Sequence, residues 1–192
     1  MTQTPIPWHL LAWTGLSAGM LTTAFIMYLR RPEDRPATLF YLQCVVTAGT
    51  FIGALSWYVI AGSPVLLAGF ILCSGLVVPM ALHFFLIYPE LSPLLVRWPR
   101  LRGLLYLPTV LYVGGGLLVV ARMLNVIHHS RVLPITQSRF LDVLLSLGGL
   151  QVVVAMAYFI IAVVSLTVTY RRAVRSEVQT QIKWVMWGVA VA

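Results

Sequence analysis

The sequence predicts an all-α protein, a polytopic transmembrane helical bundle with five full spans and a truncated sixth. Three observations predict it. Of 192 residues, 60% are hydrophobic and only 9% charged, with mean hydropathy +0.92, whereas soluble domains carry about 25% charged residues. Five apolar runs reach the roughly 20 residues a helix needs to cross a bilayer. Basic residues gather in alternate loops. No strand-type alternation competes, so each run must be a helix that satisfies its own backbone, because lipid supplies no hydrogen bonds.

The first run, about 8–29, follows no basic n-region and is too long for a signal-peptide core, so it reads as a retained span. It carries Gly15 and Gly19. The second run, 37–61, carries Gly49 and Gly53. Each G-x-x-x-G pattern puts two glycines on one helix face and permits close approach, within the bundle or between subunits. Gln43 in the second run is expected to bond a neighbouring helix. Cys44 and Cys73 lie in apolar runs without a C-x-x-C or ligand spacing and read as small packing residues.

The third run, 65–87, contains Pro79, which predicts a kink. The fourth, 103–121, contains Gly114, Gly115 and Gly116, which should loosen it. Residues 122–142 read as the long extracytoplasmic loop. The fifth run, 143–170, is the longest and should tilt or project beyond the bilayer.

The last stretch opens on Ser176, a helix N-cap that Gln179 can complete as a capping box. Glu177 sits in the first turn, where a carboxylate suits the helix dipole. From Trp184 to Ala192 the chain is apolar, so 183–192 reads as an incomplete sixth span. Those residues make only about 13 Å of helix, less than half of the ~30 Å hydrocarbon core. The expectation is that the native chain continues.

Charge predicts orientation. Arg30, Arg31, Arg35, Arg97, Arg100, Arg102, Arg171, Arg172, Arg175 and Lys183 fall in three loops on one side, ten of the thirteen basic residues. By the positive-inside rule that side is cytoplasmic and the N-terminus lies outside. Trp8, Trp57 and Tyr58 at outer ends, with Tyr88, Trp98 and Tyr170 at inner ends, agree with aromatic interface belts. The net charge of +8 is then topology plus attraction to the lipid bilayer, and requires no nucleic acid.

Few residues offer chemistry. None of the five acids, Glu33, Asp34, Glu90, Asp142 and Glu177, lies mid-span, which argues against an ion-coupled transporter. There is no G-x-S-x-G, no H-E-x-x-H and no phosphate-binding glycine loop. No cofactor or metal is expected, and this chain is not expected to be an enzyme. His83 is the one ionisable group inside a span. It reads as a neutral histidine bonded to a neighbouring helix, or as a sensing or coupling group with Glu90 seven residues on. His128 and His129 read as a solvated pair in the outer loop, with a metal as the sharper alternative. Asp142, Ser146 and Gln151 could line a shallow polar pocket beneath that loop.

Two stretches carry a family resemblance. His83–Glu90, "HFFLIYPE", closes a span before a basic loop, and resembles the H-F-x-L-x-F-P-E stretch of some multi-span bacterial sensor histidine kinases. Arg175–Gly188, "RSEVQTQIKWVMWG", is similar to the E-R-Q-Q-I-K-W-V-x-x-G segment that opens a later span in those proteins. Val178, Thr180 and Tyr88 depart from the pattern, where Arg, Gln and Phe are usual. The resemblance implies the membrane input region of a two-component kinase in the bacterial cytoplasmic membrane. It implies a homodimer in the full-length protein, and a cytoplasmic response regulator reached only through a kinase core absent from this chain. No histidine here can then be the phospho-acceptor, since His83 is in a span and His9, His128 and His129 are on the outer side. Part of a permease for an uncharged substrate, or a stand-alone membrane scaffold, is the alternative.

Overall fold

The computed structural model describes residues 8–88, 91–130, 134–172 and 176–191, and these contain helices and no strand. In chain order they are α1 (Trp8–Arg30), α2 (Arg35–Leu55), α3 (Trp57–Gly62), α4 (Pro64–Ile87), α5 (Pro93–Arg97), α6 (Leu101–Leu104), α7 (Leu107–Ser130), α8 (Pro134–Arg172) and α9 (Ser176–Val191). The fold is an all-α helical bundle. Five stretches, Ala12–Arg30, Arg35–Leu55, Pro64–Ile87, Leu101–Arg122 and Asp142–Arg171, are long and apolar enough to cross a membrane. Their large apolar side chains face outward: Val65 is 78% exposed, Leu145 72% and Leu118 68%. Such a surface suits lipid, as in multi-pass membrane proteins; in water, patches this large are rare.

Proline marks several helix starts. Pro36, Pro64 and Pro93 sit in the first turns of α2, α4 and α5, and Pro134 opens α8. A missing N–H costs nothing there, because the first N–H groups of a helix lack intrahelical partners.

Two runs expected to be single helices are divided. The second breaks at Ser56, whose φ of −107° and ψ of 33° leave helical geometry, so that α3 follows α2 as a separate turn. The fourth breaks at Leu105 and Tyr106, between α6 and α7. Pro108 explains the second break, since its ring opposes the carbonyl four residues earlier and it offers no N–H. Tyr106 N–H bonds the Gly103 carbonyl in a tighter turn, and the Leu105 carbonyl accepts from Tyr158 Oη of α8 at 2.9 Å.

The glycine triplet does not loosen α7, which runs unbroken. Two of its members sit where α7 meets neighbours. A Cβ on Gly116 would lie 2.9 Å from Ile71 of α4, and one on Gly115 3.5 Å from Leu147 of α8. Tertiary contact therefore outweighs the intrinsic cost of glycine. Residues 122–142 are likewise helical over 122–130 and 134–142 rather than an open loop. The sequence has no glycine or proline from 117 to 133, and α8 has 39 residues, about 58 Å at 1.5 Å per residue.

Helix α4 is the centre, packing on α2, α3, α7 and α8. Its N-terminal half joins Ile60, Leu67, Ile71 and Val120 in one apolar cluster. Its other half joins Leu82, Leu86, Leu95, Leu105 and Ala162 in a second. Gly49 and Gly53 of α2 lie against α4: a Cβ on Gly49 would come within 2.9 Å of Cys73 Sγ, and one on Gly53 would run into the Phe70 ring. Gly15 and Gly19 of α1 meet nothing within 4 Å. One of the two G-x-x-x-G faces thus serves packing inside the chain. Gln43, expected to reach another helix, instead donates from Nε2 to Thr47 Oγ1 of its own helix at 3.2 Å. Spacing of four residues makes that local bond reachable.

Candidate functional site along the central helix

The polar chemistry of the bundle is strung along α4. Pro79 has no N–H to give, so the Gly75 carbonyl loses its helical partner. Two neighbouring helices replace it. Thr109 Oγ1 of α7 donates to the Gly75 carbonyl at 2.9 Å, and Gln151 Nε2 of α8 donates to the same oxygen at 3.4 Å. Ser74 Oγ shares a hydrogen bond with Tyr112 Oη of α7 at 3.2 Å. An orphan carbonyl in lipid would cost several kcal/mol, so this node pins three helices at one point. Replacing Thr109 by the near-isosteric valine should destabilise the bundle by about 0.6–1.7 kcal/mol, the range of interhelical side-chain bonds in membranes. Unfolding titrations in mixed micelles measure it, and an unchanged midpoint would remove the node's importance.

One turn beyond Pro79 lies His83. Its Nδ1 and Tyr106 Oη are 3.0 Å apart, with the rings edge-to-face at 82°. The partner stands at the break before α7, so the Pro108 break is what brings Tyr106 to His83. His83 Nε2 is buried without a protein partner, and so is Arg102 Nε. Both residues border a cleft of about 350 Å³ together with Glu33 and Arg35. Buried groups of this kind call for water or a small polar ligand, and the cleft has room for either.

Below His83 the chain leaves α4 and is tied back. Ser92 N–H bonds the Leu86 carbonyl at 2.8 Å, and Ser92 Oγ meets Ser165 Oγ of α8 at 3.1 Å, both serines buried. On the far side of α4, Phe84, Phe85 and Tyr88 wall a larger cleft of about 610 Å³. Gln181 of α9 and residues of the α1–α2 turn border the same cleft. Helix α9 itself is seated on the bundle through Ile182, fully buried, with Lys183 Nζ 5.9 Å from the Tyr170 ring centre. The stretches 83–90 and 175–188, far apart in sequence, thus contribute to one cleft.

The other sequence-derived candidates are dispersed. Glu90 lies outside the described residues. His128 and His129 are in the last turn of α7, with side chains outside the described residues. Asp142 is exposed on α8, and its carbonyl accepts Ser146 Oγ at 2.8 Å. Gln151 turns to Gly75. Ser146 and Gln151 thus direct their hydrogen bonds to backbone carbonyls, of Asp142 and Gly75, rather than to a polar pocket shared with the Asp142 carboxylate. Among the described residues, no three of His, Cys, Asp and Glu come together as metal ligands would.

Thr109, Tyr106, Arg102, Ser92 and Ser165 were not legible as site residues. A signal existed for the first: a proline inside a span leaves a carbonyl that some donor must satisfy. Which donor reaches it depends on helix packing. The chain matches no protein-family model, no curated protein and no solved structure.

Proposed function

We propose that this chain is the membrane-embedded input module of a two-component signal-transducing histidine kinase, oriented with its N-terminus outside the bacterial cytoplasmic membrane. The observation that carries the reading is that both kinase-like stretches line one cleft, through Phe84 and Phe85 of α4 and Tyr88 just after it, and through Gln181 of α9. In this reading α4 is the moving part. Toward the cytoplasmic side it is tied to its neighbours through the His83–Tyr106 bond, through the Ser92–Ser165 bond just beyond its end, and along the cleft. A stimulus that shifts α4 against α7 and α8 changes how α9 is held, and α9 passes the change to a kinase core. The full protein acts as a homodimer and delivers phosphate to a response regulator through that core.

Two measurements test this. An open frame past the codon for Ala192 should lead to a dimerisation helix with a phospho-accepting histidine and an ATP-binding domain. A stop codon there, or a frame leading into a second transporter half, overturns the proposal. In membrane vesicles of the encoded protein, His83→Ala and Tyr106→Phe should shift autophosphorylation in the same direction, by about fivefold or more, the lower end of typical coupling energies. ATP affinity should stay unchanged, since neither residue touches that domain. Opposite or absent shifts would dismiss the His83–Tyr106 bond as a coupling element.

A further inference from the structure

The 610 Å³ cleft combines an aromatic wall with two arginines. Its position comes first. Arg30 is the last residue of α1 and Tyr88 the first after α4, so the cleft sits where apolar spans give way to polar termini. Its walls differ by depth. Phe40 and Phe84 lie 5.7 Å apart by ring centres, Phe84 and Phe85 5.5 Å, and Phe84 stacks on Tyr88 at 5.3 Å and 10°. These rings hold one another in place and present a fixed apolar wall. At the mouth stand Arg30 and Arg31, both exposed, against a single carboxylate, Asp34.

The fit of an occupant follows from this. The volume lies within the roughly 300–1,000 Å³ of small-molecule sites. In a bilayer the space between α9 and the α1–α2 turn is filled by something, and the aromatic wall disfavours a cluster of water. Guanidinium pairs recognise phosphate through bidentate hydrogen bonds. A free phosphate would use the arginines and leave the aromatic wall bare. Acyl chain and phosphate joined in one molecule satisfy both.

We infer that this cleft binds one anionic glycerophospholipid, its phosphate held by Arg30 and Arg31 and an acyl chain laid against Phe40, Phe84 and Tyr88. The lipid fills the gap between α9 and the α1–α2 turn, so it is a structural part of how α9 is seated. The inference stands on the lining alone and is independent of any kinase, so either proposal can fail without the other. It is also distinct from the general attraction of basic loops to anionic headgroups, which has no fixed stoichiometry.

The test uses the purified protein, delipidated in neutral detergent and titrated with phosphatidylglycerol or phosphatidylcholine, with bound lipid read by native mass spectrometry. A photoactivatable phosphatidylglycerol then maps the contact. The expected result is saturation at one phosphatidylglycerol per chain, crosslinks within Met27–Arg31 and Phe84–Tyr88, and affinity falling about fivefold for each of Arg30→Gln and Arg31→Gln. The double variant Arg97→Gln/Arg100→Gln removes twice the charge of either single variant from exposed positions outside the cleft and should bind as the parent does. Equal retention of the two lipids, uptake without saturation, or crosslinks scattered over all helices would reduce the finding to annular lipid and overturn the inference. Displacement of the lipid by millimolar inorganic phosphate would overturn it in favour of a free anion. These results come from the unmodified protein, so they decide the matter even if an arginine variant fails to fold.

Discussion

Gly75→Leu should prevent α4 and α7 from docking. A Cβ at Gly75 would lie 2.7 Å from Val113 Cγ2, 3.0 Å from Tyr112 Cδ1 and 3.4 Å from Thr109 Cγ2, all on α7. Valine has no flexible end with which to retreat, so the helices must separate. Overpacking of this kind costs about 1–3 kcal/mol. Separation also pulls Thr109 from the Gly75 carbonyl, leaving it only the longer 3.4 Å bond from Gln151 of α8, and a poorly satisfied carbonyl in lipid adds to the cost. The sum is a large share of the ~5–15 kcal/mol by which folded proteins are stable. The spans can remain inserted while their assembly is lost. The expected readout is loss of the monodisperse species in detergent and a lowered unfolding midpoint. Gly15→Leu is the control: its Cβ would meet nothing within 4 Å, and its effect should stay within about 0.5 kcal/mol. A Gly75→Leu protein that is monodisperse with the parental midpoint would refute this account of α4–α7 contact.

The second large effect is all-or-none labelling that reports orientation. With Cys44 and Cys73 replaced by alanine, Ser130→Cys in intact cells should react with a membrane-impermeant maleimide, whereas Glu33→Cys should react only after permeabilisation. Glu33 is exposed in the α1–α2 turn, beside Arg30, Arg31 and Arg35. Ser130 ends α7 on the side that carries few basic residues. The physical basis is the energy of keeping lysine and arginine on the cytoplasmic face. Ser92 would be a poor reporter even on the correct side, since it is buried against Ser165. Labelling of position 33 but not 130 in intact cells would reverse the orientation, and with it the leaflet of the lipid cleft.

The sequence by itself determined that the chain is all-helical and contains five stretches long and apolar enough for a membrane. That much follows from composition and run length, which depend on neighbours in sequence alone. It also marked Pro79 and both G-x-x-x-G faces as special, because proline and glycine act through their own covalent structure. Only the tertiary structure decided what these residues do. Pro79 leaves a carbonyl free, and it took packing to show Thr109 and Gln151 as the donors. The glycine triplet in α7 was expected to weaken the helix, yet contact with Ile71 and Leu147 makes it a packing surface. Gln43 turned to its own helix, Ser146 bonded back to the Asp142 carbonyl, and Gln151 reached Gly75. Hydrogen bonds are short-ranged and directional, so their partners are set by distances of a few tenths of an ångström between helices that spacing along the chain does not encode. That Phe84, Tyr88 and Gln181 line one cleft is the same kind of fact, since segments remote in sequence become neighbours only when the bundle closes.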